Sequence, residues 1–252
     1  MFSLAGFSYS YPGHDVRILD GITVDFDPGE YIVLQGPSGV GKSTLLYIIG
    51  MLLVEGEFSG DLRFDNVPIK SISEKAKAEI RKTRFGFLTQ SSFLIPSMTC
   101  AENVALPLLI NGQSMRSALR IVNDLTCEAD EVCGVTADQG NLCLSQKLQK
   151  YPSEISGGQR KRLALLRSLV HSPEILFADE PFSNLDAITR SSIVVLLQKW
   201  KDGELLRCEH LSKNDRTVIV VSHEDDLRNC ASKLVTFSEG GSAIQKLRRN
   251  RE

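Results

Sequence analysis

The run Gly36-Pro37-Ser38-Gly39-Val40-Gly41-Lys42-Ser43-Thr44 fits the spacing G-x-x-x-x-G-K-[ST]. Glycines at that spacing let a backbone wrap an anion with no Cβ in the way. Consecutive N–H groups and a following helix N-terminus then face it. On this reading Lys42 reaches the β- and γ-phosphates of a nucleotide and Ser43 ligates Mg2+. A glycine turn that only caps a helix explains the glycines but does not ask for Lys42 and Ser43 together. Kinases, GTPases and ATPases share such a loop, so the loop alone leaves the reaction open.

A second cluster follows an apolar run. Ile175-Leu176-Phe177-Ala178 leads into Asp179-Glu180. Ligands of parallel sheets bind beyond the carboxyl ends of the strands. Asp179 is therefore expected near Ser43 and Mg2+, and Glu180 is placed to orient or deprotonate an attacking water. A solvated acidic turn would explain the acids but not their place behind a wholly apolar run. In Ile155-Ser156-Gly157-Gly158-Gln159, Ser156 and Gln159 fit a capping box at a helix start. The box accounts for the two polar residues. The paired glycines weaken a helix start, yet they admit a phosphate close to the backbone.

The elements that must position these residues read as an α/β fold. Tyr31–Gln35, Phe85–Thr89, Ile175–Ala178, Thr217–Val221 and Leu234–Phe237 are short apolar runs without alternation, as in strands buried on both faces. Helical patterns at Lys42–Leu53, Glu74–Thr83, Ser114–Leu125, Gly158–Val170 and Ala187–Trp200 lie between them. Ser3–Tyr11 and Ile22–Phe26 alternate, with turns at Pro12-Gly13 and Pro28-Gly29, and Leu62–Phe64 adds a short strand. These three form a small antiparallel sheet. Residues 126–151 are the least regular stretch, and residues 201–216 read as a polar loop.

The 252 residues balance 29 Lys+Arg against 31 Asp+Glu, a formal net charge of −2. That balance carries no broad footprint for nucleic acid, and no nucleic-acid partner is expected. The basic run Lys246–Arg251 is a solvated tail or a contact with anionic lipid or a partner. Six scattered cysteines without CxxC spacing read as free thiols, with a metal site from Cys127, Cys133 and Cys143, or from Cys208 and His210, as the lesser alternative. The longest apolar run, Leu45–Val54, is about half the length of a membrane span.

Taken together, these motifs resemble the ATP-binding cassette (ABC) ATPase family over nearly the whole chain. The usual signature LSGGQ stands here as ISGGQ, residues 155–159. The resemblance implies a P-loop (RecA-like) α/β core, a small antiparallel β subdomain and an inserted α-helical subdomain. It places residues 1–90 and 160–240 in the core, 91–159 in the helical subdomain and 241–252 in a basic tail. It also implies that Tyr11 stacks on adenine, with Tyr9 as its neighbouring candidate. Gln90 resembles the Q-loop glutamine that links Mg2+ and water to the helical subdomain. Ser183-Asn184-Leu185-Asp186 resembles the D-loop and also reads as an S-x-x-D helix start. His223 resembles the switch histidine that contacts the γ-phosphate, with Ser222 and Asp225 fitting a helix cap.

By the same resemblance, ATP and Mg2+ are the cofactors. Ser156, Gly157, Gly158 and Gln159 close over ATP held by a second cassette, so a head-to-tail dimer, most simply of identical chains, is implied. The run Phe93–Leu108 is similar to the lipoprotein-releasing, macrolide-efflux and cell-division branch, whose cassettes drive membrane permeases. A cytoplasmic location, peripheral at the inner face of the membrane through a permease on a separate chain, follows. A cytoplasmic ABC regulator or scaffold is the alternative; a P-loop kinase gives no reason for ISGGQ, SNLD and His223 together.

Overall fold

A computed structural model describes residues 1–53, 55–91, 93–135, 143–206, 215–222, 227, 230–238 and 241–246, with backbone alone for 238 and 241–246. In chain order the elements are β1 (Phe2–Ser10), β2 (Leu19–Phe26), β3 (Tyr31–Gln35), α1 (Lys42–Ile49), β4 (Glu57–Phe64), β5 (Val67–Pro68), α2 (Glu74–Arg84), β6 (Phe85–Leu88), α3 (Cys100–Ile110), α4 (Met115–Val132), α5 (Gly157–Leu169), β7 (Ile175–Asp179), α6 (Ala187–Lys201), β8 (Thr217–Val221), β9 (Lys233–Ser238) and β10 (Gly241–Lys246). They fall into two compact units, Met1–Arg81 with Thr217–Glu252, and Lys82–Arg216.

In the first unit, β2-β1-β4-β5 form an antiparallel sheet. Phe2 pairs with Phe26 on one side and Phe64 on the other. Leu19, Ile22, Val24 and Phe26 of β2 turn inward while the residues between them stay in solvent, the alternation of a half-buried sheet. The unit's other strands run β10-β9-β3-β8. Here β3 lies parallel to both β8 (Ile32↔Ile219) and β9 (Val33↔Leu234). Tyr31–Leu34 and all of β8 are buried, so these runs need no polar face.

In the second unit β6 and β7 run parallel, Phe85 opposite Ile175 and Leu88 opposite Ala178. Arg84 grips both oxygens of Glu174 at 2.7–2.9 Å, and the Glu174 N–H donates to Arg84 O at 2.9 Å, so the two strands start level. Two helical features depart from expectation. The sequence pattern shows no helix over Cys100–Ile110, because Pro107 and a nearly all-apolar face hide the period. Thr99 and Glu102 nevertheless make a full capping box there. Helix α4 runs to Val132, so the first part of the irregular stretch is helical. Its polar residues are absorbed locally. The Thr126 hydroxyl donates back to Val122 O, and the buried Asp130 accepts from Leu144 N and Ser145 N. No described helix is long and apolar enough to cross a membrane.

Candidate functional site

The glycine-rich loop of the first unit joins β3 to α1. Gly41 precedes the helix with φ 93°, in the left-handed region that favours glycine. A Cβ there would stand 2.9 Å from Ile18 O and 2.7 Å from Leu19 Cδ2. Helix α1 then begins with no side-chain cap and no acid in its first turn. Helices α3, α4, α5 and α6 each begin on a side-chain acceptor, from Thr99, Ser114, Ser156 and Asp186. The donor end of α1 therefore suits an external anion. Lys42 is buried, and its Nζ donates to Gly36 O (2.9 Å) and Pro37 O (2.6 Å), lying across the loop it would share with a phosphate. Pro37, Ser38 and Gly39 are exposed, and Val40 and Ser43 are half-buried.

Tyr9 and Tyr11 part company. Tyr9 is buried in β1 and its hydroxyl donates to Glu55 O at 2.8 Å, the behaviour of a packed strand residue. Tyr11, just past β1, packs edge-on to Tyr9 (5.1 Å, 79°) and shares a 3.0 Å hydrogen bond with the Thr44 hydroxyl.

In the second unit Asp179 is the last residue of β7 and is buried. Glu180 follows at φ 44°, a left-handed conformation that costs a non-glycine residue about 1–2 kcal/mol. Its carbonyl accepts from Ser183 N (3.2 Å) and Ser183 Oγ (3.0 Å), which holds the turn. Gln90 Nε2 donates to Glu180 Oε2 at 3.3 Å. With the amide nitrogen so committed, any cation ligand from Gln90 is its oxygen. The Asp179 carboxylate and the Gln90 amide oxygen of this unit are hard oxygen donors, the kind that Mg2+ takes.

Ser156 caps α5 as expected: Ser156 Oγ accepts from Gln159 N (3.2 Å) and Gln159 Oε1 accepts from Ser156 N (2.8 Å). The hydroxyl proton can still donate outward. Ser156 and Gly157 are exposed, so this helix start is open to another molecule. The two glycines differ. A Cβ on Gly157 would find only Arg160 Nη2, at 3.8 Å, whereas one on Gly158 would meet Thr189 Oγ1 at 2.5 Å. Gly158 is thus required by packing against α6, and Gly157 is the one left open to an approaching group. In the SNLD stretch the expected cap is corrected: Asp186, not Ser183, caps α6. It accepts from Ile188 N, Thr189 N and Thr189 Oγ1, and these bonds, led by that from Thr189 N, hold its carboxyl below the usual range.

Lys161 is a residue that the motifs did not single out. It sits on α5, 4 % exposed, and its Nζ donates to Gln90 O (2.8 Å) and Thr89 O (3.4 Å). Burial lowers its pKa to about 8, opposed by the charges of Asp179 and Glu180. A lysine inside a helix whose neighbours Leu163–Leu166 are buried was the available signal. His223 and Asp225 lie outside the described residues, as do residues 207–214, with Cys208 and His210, and the tail beyond 246. Among the described residues no group of His, Cys, Asp and Glu is arranged to hold a metal unaided.

Comparison with known proteins gives one family. The model described as "ABC transporter" matches residues 19–183. The chain is 32 % identical over 225 residues to the lipoprotein-releasing system ATP-binding protein LolD of Porphyromonas gingivalis, covering 89 % of this chain and 91 % of that protein. It is 32 % identical over 244 residues to the macrolide export ATP-binding/permease protein MacB of Bdellovibrio bacteriovorus, covering 95 % of this chain. It spans about a third of the length of that protein. Among solved structures, the dimeric cassette MJ0796 in a post-hydrolysis state bound to ADP and Pi matches with a TM-score of 0.78 and 28 % identity, covering 99 % of this chain and all of that one. The fold is therefore the α/β P-loop fold of these cassettes.

Proposed function

The chain belongs to the ABC transporter family, and from that premise we propose that it is the ATP-binding and ATP-hydrolysing subunit of a transporter of the lipoprotein-release or macrolide-efflux type, driving a membrane permease on a separate chain. The observation that carries the reading is the N-terminus of α1. It lacks a side-chain acceptor, it follows a loop closed by Gly41, and Lys42 lies across that loop.

In this account residues 36–44 bind the triphosphate, Lys42 neutralises its terminal charge, and Tyr11 flanks the base. Ser43, Gln90 and Asp179 hold Mg2+, which when bound spreads the charge that builds on the transferring phosphoryl group. Glu180 orients the attacking water and takes its proton, and its strained turn fixes where the carboxylate points. His223 is assigned to the γ-phosphate. Ser156 and Gly157 donate to the nucleotide of a second, identical cassette, with the α5 dipole adding to the attraction. Residues 183–186 lie along that dimer contact. Residues 91–159, which carry α3 and α4 and end on the signature, form the helical subdomain that meets the permease. The match covers nearly all of a relative named as the ATP-binding protein of a system, which favours a permease on a second chain and a peripheral place at the inner membrane face.

Sedimentation of Glu180→Gln with Mg-ATP tests the assembly. A dimer that disperses when ADP replaces ATP is expected. A monomer at saturating ATP contradicts the composite site.

A further inference from the structure

Lys161 has no place in the motifs above, yet its charged side chain is buried among them, 4 % exposed. It lies on the second turn of α5, the helix that starts at Ser156. An ammonium on that face could have been an apolar side chain like its neighbours Leu163 to Leu166, all buried. Enclosing a charge is unfavourable unless specific partners repay its lost hydration. Its partners are the carbonyls of Gln90 and Thr89, at 2.8 and 3.4 Å. Both belong to the chain leaving β6, and the carboxylates of Asp179 and Glu180 are the charges that face it. The next link is Gln90 Nε2 to Glu180 Oε2, at 3.3 Å. One cation thus ties the backbone of Gln90 to the signature helix while the Gln90 side chain reaches Glu180.

We propose that Lys161 is a positioning residue for hydrolysis: it holds Gln90 so that the Gln90 amide sets the direction of the Glu180 carboxylate, and it joins that carboxylate to the helix that receives the second nucleotide. This rests on the ATPase reading. Lys161 touches no nucleotide. Its loss should lower turnover and spare nucleotide binding, which residues 36–44 carry. A misplaced general base loses rate steeply with small displacement. The tie also needs donors and a positive charge together, so arginine should serve in part and methionine should not.

The experiment measures kcat, KM and ATP-analogue affinity for wild type, Lys161→Met, Lys161→Gln and Lys161→Arg, with the thermal midpoint of each. Lys161→Met is expected to lose about tenfold or more in kcat with analogue affinity within about twofold. Lys161→Gln should fall between methionine and wild type, and Lys161→Arg should recover most of the rate. Wild-type hydrolysis with an equally active Lys161→Met overturns the proposal. So does a Lys161→Met defect in which kcat, affinity and thermal midpoint fall together and arginine restores nothing, because that pattern marks packing alone. A wild type that does not hydrolyse ATP refutes the ATPase reading itself, which separates the two failures.

Discussion

Gly157 and Gly158 are neighbours of one type in one helix turn, yet alanine at each should behave differently. A Cβ on Gly158 would lie 2.5 Å from Thr189 Oγ1, 3.0 Å from Thr189 Cγ2 and 3.3 Å from Thr189 Cβ. Thr189 cannot swing away cheaply, because its hydroxyl donates to Asp186 Oδ2 at 2.7 Å in the cap of α6. Overpacking of this kind costs about 1–3 kcal/mol. Replacing a helical glycine by alanine recovers up to about 1 kcal/mol. The net for Gly158→Ala is a loss of about 1 kcal/mol or somewhat more, a fall in thermal midpoint of roughly 2–4 °C per kcal/mol at this chain length. Gly157→Ala meets no clash and should be neutral or slightly stabilising. The pair should be compared by thermal and urea unfolding of the nucleotide-free protein. Thr189→Ala removes both atoms in the way, so it should cost less in the Gly158→Ala background than in wild type. Equal midpoints for the two alanine variants, or purely additive effects of Gly158→Ala and Thr189→Ala, would refute the packing argument.

Two further outcomes follow from buried polar groups of the second unit. Arg216 is fully buried, donates to Trp200 O, Leu205 O and Leu206 O, and stacks over the Trp200 ring. Arg216→Met strands the carbonyls of Leu205 and Leu206 just past α6, while Trp200 O keeps the Gly203 N–H (3.1 Å), and should cost about 2 kcal/mol or more, read as a lower urea midpoint. His171 faces the carbonyl of Phe85 through Nε2 at 2.9 Å, so Nε2 carries the proton, while the buried Nδ1 has no partner among the described residues. Burial lowers its pKa in the folded protein, against a weaker raising effect of the Phe85 bond. The unfolded chain then binds the extra proton first. Stability should fall as pH drops below the ordinary histidine value of about 6.5, by up to about 1.4 kcal/mol per pH unit. His171→Gln should lose that part of the slope in denaturation curves taken between pH 7 and 5.

What was legible in the sequence was whatever burial or backbone chemistry writes into consecutive residues. The runs that became β3, β7 and β8 are apolar along nearly all their length because almost every residue in them is buried, and the loop before Lys42 needs its glycines in order. Helix α3 escaped notice because its less buried side is apolar too, with Leu106, Leu109 and Ile110, which erases the amphipathic period, and Pro107 reads as a breaker although it sits inside the helix. The end of α4 was obscured by polar residues whose partners lie far along the chain, as Asp130 with Ser145. Helix α6 was placed correctly but its cap was not, since Ser183 and Asp186 both fit the pattern and only the observed hydrogen bonds choose Asp186. Lys161 and the left-handed turn at Glu180 are products of tertiary packing, with no local spacing to announce them.

On the proposed function, ATP cleavage needs both the loop at α1 and the carboxylate of Glu180. Steady-state phosphate release from Mg-ATP by purified wild type and Glu180→Gln, with nucleotide binding measured on the same samples, tests it most directly. Both proteins should bind, wild type should turn over, and the variant should lose about 100-fold or more in rate. Binding without turnover in wild type, or turnover that survives the substitution unchanged, would contradict it.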